Sequence, residues 1–307
     1  MEKVILVINN SVAIVLSSYN GEKYISEQID SILHQTHKEW QLIIRDDGSI
    51  DSTVSIIKEY TEIDSRIKLI EDNRGNVGPL KSFEILMQEV LDFEYIFFCD
   101  QDDIWLDKKI EISIKEMSKI NSDIKLVYTN FEEFEDNSNF KKKVYRYNDI
   151  NEHKNLIIQN WIYGCTMVIN NKLLKLSKRI PKEAINHDNW IANVAQIYGR
   201  ISYINETTVL HRIHDKNVTT KRENNYTRKI KYAWKIIREK NKNRIAKRIF
   251  VEEILKIDKE IPQDKDYINF FYATLIKKNP KKFLFLYKEK FRGYTPLRTI
   301  TFYFTIL

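Results

Sequence analysis

The sequence predicts an α/β fold over residues 1–220, a sheet enclosed between helix layers, followed by a basic helical extension over residues 221–307. Three observations carry this reading. Apolar strand-like runs alternate with helix-like segments through the first 130 residues, as a sheet with crossover helices requires. Four of those runs are apolar on successive residues, which marks strands buried on both faces. After Lys221 the strand signals stop and the charge balance changes sign.

The first strand is expected over residues 12–17 and the first helix over 23–33, where apolar residues recur at helical spacing. A second strand over 40–45 leads through Ser49-Ile50-Asp51-Ser52, whose hydroxyl and carboxylate groups suit a helix start, into a helix over 52–60. The third strand, 67–70, precedes a helix over 77–91, and the fourth, 95–99, a helix over 108–120. A fifth strand covers 125–129, a sixth 167–169, and a helix runs over 190–198 with Asp188 as a candidate N-cap. In the extension, Ile230, Ala233, Trp234, Ile237, Ile245 and Ile249 fall at helical spacing over 226–257, and an aromatic-rich basic stretch fills 267–307.

Composition narrows the function classes. With 307 residues, 43% hydrophobic, the chain can bury a sizeable core. Only 7 Gly and 5 Pro among 30% charged residues exclude collagen-like and low-complexity chains. No apolar run approaches the length of a membrane-spanning helix. Asn9, Asn10 and Ser11 interrupt the two N-terminal apolar runs before a signal-peptide core can form. Cys99 and Cys165 lack CxxC spacing, which fits thiols kept reduced, and a cytoplasmic location is expected. His34-x-x-His37 and His211-x-x-His214 occur without an HExxH, so zinc chemistry is not expected. Residues 221–307 hold 23 basic and 9 acidic side chains, a net +14, against 27 basic and 34 acidic before them, a net −7. The acidic body suits a metal ion, and the basic tail suits an anionic surface.

Ligands of an open α/β sheet bind beyond the carboxyl ends of its strands. Those positions read Ser17-Ser18-Tyr19-Asn20-Gly21, Asp46-Asp47-Gly48-Ser49, Asp72-Asn73-Arg74-Gly75-Asn76 and Asp100-Gln101-Asp102-Asp103. Neither a G-x-G-x-x-G after a strand nor a P-loop is present to cradle phosphate. Asp100 and Asp102 lie on one side of an extended backbone, within reach of one hard divalent cation, Mg2+ or Mn2+. Such an ion bridges carboxylates to a diphosphate and neutralises charge on a departing phosphate. Alone, D-x-D also describes a solvated acidic loop.

The ordered set, strand-Tyr19-Asn20-Gly21, then Asp46-Asp47-Gly48-Ser49-x-Asp51-x-Thr53, then Asn73-x-Gly75-Asn76-x-Gly78, then Asp100-x-Asp102-Asp103-x-Trp105, resembles glycosyltransferase family 2 over roughly residues 12–218. The resemblance implies a GT-A fold, with a Rossmann-like, mixed but mainly parallel sheet. It also implies inverting transfer of a sugar from a nucleoside diphosphate. By the same resemblance Ser17, Tyr19 and Asp47 contact the nucleoside, with Asn20, Asp46, Asn76 and Asp100 completing the nucleotide site. Asp100 and Asp102 then hold the metal. Trp161-Ile162-Tyr163-Gly164-Cys165-Thr166-Met167 resembles the family's glycine loop, where a missing Cβ lets backbone approach the donor. An ordinary turn is the alternative.

Asn186-His187-Asp188-Asn189-Trp190 resembles the segment supplying the catalytic base. An inverting transfer needs one group to take the acceptor hydroxyl's proton, and Asp188 fits, with His187 second because an unperturbed imidazole titrates near neutrality. In Leu210-His211-Arg212-Ile213-His214, His214 matches the family's metal-reaching histidine better than His211, and Arg212 is a candidate phosphate donor. Gln101, Asp103, Trp105, Gly164, Cys165, His187, Trp190 and Arg212 form the expected donor and acceptor set. The motifs look most similar to rhamnosyltransferase-type members that build bacterial polysaccharides, although Asn189 replaces a more usual aromatic and leaves the acceptor pocket open to question.

The implied partners are a UDP- or dTDP-linked sugar, with rhamnose and hexose both open, and a glycan or polyprenyl-linked saccharide acceptor. The basic aromatic extension is expected to lie on an anionic membrane surface at the inner face of the cell membrane, or else to pack on the catalytic domain. A metal-dependent nucleotidyltransferase would use the same carboxylates and release pyrophosphate. A nucleic-acid-binding protein would explain the basic tail, but the acidic rim repels phosphate, so no nucleic-acid partner is expected. A catalytically dead scaffold is the remaining alternative.

Overall fold

Strand β1 (Val12–Ser18) buries every side chain from Val12 to Leu16, and β4 (Tyr95–Cys99) buries its whole length, so both lie in the middle of the sheet. The structure, a computed structural model, describes residues 11–136, 141–144, 153–214, 238–258, 262, 265–276, 284, 286–293, 299–300 and 302–303. On one side β1 pairs in parallel with β2 (Trp40–Asp46), which pairs with β3 (Ile67–Ile70); on the other side it pairs in parallel with β4. The register sets Ser18 beside Asp46 and Leu16 beside Cys99, so these strands end together at one edge.

Beyond β4 the sheet becomes mixed. Strand β8 (Met167–Asn170) runs antiparallel between β4 and β6 (Lys125–Phe134), and β9 (Arg200–Arg212) runs parallel to β6 past a bulge at Thr129 to Phe131. The short β5 (Ile104–Trp105) pairs antiparallel with the end of β9, Trp105 opposite Val209. That pairing carries the Asp100 to Asp103 turn to the segment around His211 and His214. Strand β7 (Lys141–Lys143) adds lysines against Glu132 and Glu133 at the open end of β6. Among the described residues the order is β3-β2-β1-β4-β8-β6-β9-β5, with β7 on β6.

Helices cover this sheet. Helix α3 (Pro79–Glu89) packs on β1 and β2, and α1 (Ile25–Leu33) packs on β5 and on α2 (Thr53–Ile63). Helix α4 (Lys109–Lys119) lies on β6 and β9, while α5 (Asn171–Ser177) and α6 (His187–Tyr198) pack together. Three expectations need correction. Strand β6 continues past Thr129 to Phe134 because β7 and the second half of β9 extend its ladder. Strand β9 was not expected, since residues such as Asn205, Glu206 and Thr207 break the apolar run of a strand that is buried only at its end. Helix α6 starts at His187, so Asn186 is the N-cap and Asp188 lies inside the first turn.

In the extension, Ile230, Ala233, Trp234 and Ile237 lie outside the described residues. Helix α7 (Lys240–Leu255) turns Phe250, Val251 and Ile254 inward and leaves Ile245 at 49% exposure. Phe250 meets Trp190 of α6 edge-on, with ring centroids 5.6 Å apart, and Tyr198 donates to the carbonyl of Ile254 at 2.8 Å. Helix α8 (Tyr267–Ile276) stacks Phe271 on Phe291 and Phe302 in a small aromatic core. Phe270, Leu284, Tyr287 and Ile300 remain exposed. No described helix is long and apolar enough to cross a membrane.

Candidate active site

Three loops leave the common edge of β1, β2 and β3, and their side chains bind one another. Asp46 accepts from the backbone of Gly48 at 3.0 Å and Ser49 at 2.7 Å, and from the hydroxyls of Ser18 at 2.9 Å and Ser49 at 2.6 Å. Asp47 is 3% exposed and accepts from Arg45 at 2.6 Å and from the backbone of Val77 and Gly78 at 2.8 Å. Arg45, fully buried, also donates to Asp72 at 2.8 Å and to the carbonyl of Gly75 at 3.1 Å. One guanidinium therefore fastens the Asp72 to Gly78 loop to β2. Its hydrogen bond holds the Asp72 carboxyl below the usual carboxylate range.

Arg45 is absent from the sequence-based site. The signal was available: a charge inside a strand buried on both faces must be paired. Ser17 donates to Ser82 at 2.6 Å, beneath the loop. Asn20 sits at φ 48° and receives the amide of Ile50 at 2.9 Å, which ties the Tyr19 turn to the loop after β2. Tyr19, 47% exposed, and Asn76, also exposed, stand open to a ligand.

Gln101 joins this rim to the D-x-D turn. Its amide accepts from Tyr19 N at 2.8 Å and donates to Tyr19 O at 3.1 Å. A Cβ on Gly21 would lie 2.3 Å from the Gln101 Oε1, so glycine is needed there for the clamp to close. Asp47, whose amide donates to Ser18 O at 2.7 Å, is thereby connected through β1 to Asp100 and Asp102.

The four residues of that turn divide by orientation. Burial, then the neighbouring Asp103 and Asp102, push the Asp100 carboxyl up to about 8. Asp102 is raised by burial and Asp103, against the pull of His214, whose Nε2 lies 2.8 Å from Asp102 Oδ2. Asp103 turns inward, fully buried, with Oδ1 2.8 Å from His211 Nδ1. Arg212 spans the same turn. It donates to Asp102 O at 3.0 Å and Glu27 at 2.5 Å, pairs with Asp136, and lies 4.6 Å from the rings of Tyr24 and Phe134.

Among the described residues, Asp103, Cys165 and His211 converge within 4.8 Å and have the ligand types of a metal site. Their charges argue against it. Burial pushes His211 down, but Asp103 with help from Asp100 and Asp102 carries it up to about 9, which favours the protonated imidazole beside Asp103. Burial holds the Cys165 thiol protonated, and the buried Lys109 stands nearby. This cluster neutralises itself. Asp102 meets His214 at 2.8 Å beside Asp100, but among the described residues Asp103, Cys165 and His211 are the one group whose ligand atoms lie within 4.8 Å of one another, so Asp100, Asp102 and His214 do not converge that closely.

Asp188 is buried in the first turn of α6, where the helix dipole favours a carboxylate. It accepts from Asn160 at 3.0 Å and from the Gly164 amide at 3.1 Å. Burial outweighs these bonds and pushes it up to about 7. Its charge raises Asp100, so the two share one electrostatic environment. Asn160, absent from the sequence-based set, belongs to this site; its own turn, closed by bonds to the carbonyl and amide of Ile162, holds it in place.

His187 behaves differently from its sequence-based description. Its ring stacks on Phe83 at 3.9 Å and Phe98 at 5.2 Å, and burial pushes it down to about 3, so it is neutral and packs as an aromatic. A Cβ on Gly164 would lie 2.5 Å from His187 Nε2; the missing side chain makes room for this imidazole. Trp105, Cys165 and Trp190 are at most 2% exposed and form walls, Trp190 donating to Ser177 O at 2.8 Å. Of the sequence-predicted site residues Tyr19 and Asn76 are exposed, Asp100, Asp102 and His214 are half-buried, and Asp47, Asp103, Trp105, Cys165, His187, Asp188, Trp190 and Arg212 are buried.

The sequence model of the family described as Glycosyl transferase family 2 matches residues 13–191. The UDP-Glc:alpha-D-GlcNAc-diphosphoundecaprenol beta-1,3-glucosyltransferase WfgD of Escherichia coli is 37% identical over 129 residues, 41% of this chain and 48% of that protein. The matched stretch thus spans about half the length of this relative. S. aureus TarS 1-349, solved with UDP-GlcNAc, superposes with a TM-score of 0.61 at 18% identity over 86% of this chain and 72% of that one. The mannosyltransferase PcManGT of Pyrobaculum calidifontis, solved with GDP-Man and Mn2+, gives 0.53 at 14% identity over 96% of this chain and 85% of that one. The architecture is the GT-A fold of these neighbours.

Proposed function

Because this chain belongs to glycosyl transferase family 2, we propose that it is an inverting, metal-dependent transferase that moves a hexose or rhamnose from a UDP- or dTDP-linked donor to a glycan or polyprenyl-linked acceptor in bacterial surface polysaccharide synthesis. The observation that carries the reading is Asp188, a buried carboxyl in the first turn of α6 that accepts from Asn160 at 3.0 Å and from the Gly164 amide at 3.1 Å. It is pushed up to about 7 by burial, and its charge reaches Asp100. Relatives support the substrate class: the Escherichia coli enzyme is named for a UDP-glucose donor and a diphosphoundecaprenol-linked acceptor. That name favours a UDP-hexose over a dTDP-rhamnose.

Asp100, Asp102 and His214 would hold a divalent cation, which when bound supplies Lewis-acid neutralisation of a leaving diphosphate. Tyr19 offers its exposed ring to the nucleobase, and Ser17, Asn20, Asp46, Asp47 and Asn76 shape the nucleoside pocket around it. The acceptor oxygen forms its bond to the anomeric carbon as the bond from that carbon to the diphosphate oxygen breaks. Asp188 takes the hydroxyl proton, and a base poised near neutral pH is matched to that task. Asn160 and the Gly164 amide keep the carboxylate aimed while leaving lone pairs free for the proton.

Residues 1–220 form the catalytic domain in this reading. In the same reading the extension would hold it at the inner face of the cell membrane, which the exposure of Phe270, Leu284, Tyr287 and Ile300 beside its positive charge supports. Nucleotide release from a panel of UDP-, dTDP- and GDP-sugars, with and without Mn2+, tests the reading. A metal-dependent release of nucleoside diphosphate is expected. Release of pyrophosphate would instead favour a nucleotidyltransferase.

A further inference from the structure

The buried stripe of α7 changes character along its length. Val251 and Ile254 lie inward beside Phe250, and stepping back by three, four and seven residues reaches Arg248, Lys247 and Arg244. These positions would be apolar in an ordinary packed helix. Here they carry three cations. Lys247 Nζ donates to the carbonyl of Ile157 at 2.6 Å. Arg244 Nη1 and Arg248 Nε are closed to solvent and have no hydrogen-bond partner among the described residues. Donors left in that state are costly, and on a guanidinium they call for an anionic acceptor.

Their place along the helix says which anion. Phe250 lies against Trp190, and the Ile254 and Asp258 carbonyls both lie within hydrogen-bond reach of the Tyr198 hydroxyl, so α7 and α6 run in the same direction. The first half of α7 therefore projects past the start of α6, where Asp188 sits. The 3-10 turn His153–Ile157 gives a second route to the same conclusion. Ile157, bound by Lys247, is three residues before Asn160, whose amide holds Asp188, a chain distance of at most about 11 Å. Lys247 is thus tied to the segment that carries Asn160, and the cations lie toward the end of α6 at which the base sits.

Resting on the transferase reading above, we infer that Arg244 and Arg248, with Lys247 beside them, bind a phosphate or diphosphate group carried by the acceptor. A sugar attached to that group would then present its hydroxyl toward Asp188. Arginine suits this role because its planar donors pair with phosphate oxygens two at a time.

The test uses the full chain in EDTA, where the D-x-D turn cannot hold a diphosphate through a metal. Inorganic pyrophosphate and farnesyl diphosphate are titrated calorimetrically, with phosphatidylglycerol vesicles as a separate arm. Saturable binding of both diphosphates is expected, weakened at least tenfold in R244Q/R248Q and less in R244K/R248K. UDP binding with Mn2+ should stay within twofold, which also shows that the double variant is folded. Diphosphate binding that is absent, or equal in wild type and R244Q/R248Q, overturns the inference. So does a double variant that loses only vesicle binding, which would make this face a membrane contact. Failure of the wild type to bind UDP with Mn2+ while diphosphate binding survives would instead sink the transferase reading.

Discussion

At the β2 end of the pocket Asp47 and Asp72 share the buried guanidinium of Arg45, whereas at the β4 end Asp100 and Asp102 crowd against Asp103 and are pushed upward. Both ends are rich in aspartate and neighbour the same strand. At the first end the charges are balanced by the chain itself, and the carboxylates serve as ties that shape a loop. At the second end burial and mutual repulsion raise both carboxyls, so a cation held there, as proposed above, would relieve that repulsion. Asp188 is a third case, alone and held by two neutral donors. Acidic motifs of similar appearance therefore do different work according to where the nearest positive charge lies.

The sharpest way to break this contrast is Asp188→Asn. Turnover should fall by roughly 10³-fold or more while donor binding survives, because shape is kept and basicity is lost. Equal loss of both, measured by kinetics and nucleotide titration, would remove Asp188 from the base role. The same variant tests the electrostatics. An aspartate raised from 3.8 to about 7 by burial stabilises the fold at low pH, and that contribution is lost as pH rises through about 7. Asp188→Asn should therefore be more stable than wild type at pH 8 by denaturant melts, at about 1.4 kcal/mol for each unit of the shift as a ceiling.

Arg45→Met probes the balanced end. It strands Asp47 and Asp72 without their cation and should cost about 3–5 kcal/mol in urea unfolding. A loss under 1 kcal/mol would mean that the loop does not depend on the guanidinium. At the β4 end, Mn2+ should raise the melting temperature, with a stabilisation of about 2.7 kcal/mol at a hundredfold excess over its dissociation constant. Asp102→Asn should abolish most of that increment. An undiminished metal shift in that variant would place the ion elsewhere, with Asp103, Cys165 and His211 the next site to examine.

The smallest expected effects concern pH and His187. The rate constant kcat/KM should rise about tenfold per unit below the Asp188 value of about 7 and level off above it. His187→Phe should leave that profile in place, since the imidazole already packs as a neutral ring between Phe83 and Phe98. A profile displaced by a full unit in this variant would restore the histidine as a proton acceptor.

Strands β1 to β4 were legible to within a residue of their ends, β1, β2 and β4 because they are buried on both faces and the edge strand β3 because its short apolar run alternates with Lys68. Strand β9 was not, since its partner residues on β6 lie 75 to 78 positions back and its exposed half carries polar residues that signal nothing by themselves. The D-x-D turn and Asp188 were legible as polar groups at the end of a strand and the start of a helix, and the roles given to them are those proposed above. Arg45 and Asn160 were missed because neither belongs to a motif; each gains meaning from what it touches.

Which residue types the reaction needs, and their order along the chain, are properties of the sequence, because strands buried on both faces must be apolar and the loops after them carry what remains polar. Orientation was decided by the tertiary structure. The pairing of β5 with β9 turns Asp103 inward to His211 while His214 meets Asp102, and the packing of α6 buries Asp188 enough to raise it toward neutral pH. Solvent exclusion and the distance to the nearest opposite charge set what a carboxylate does, and both depend on residues far apart in the chain.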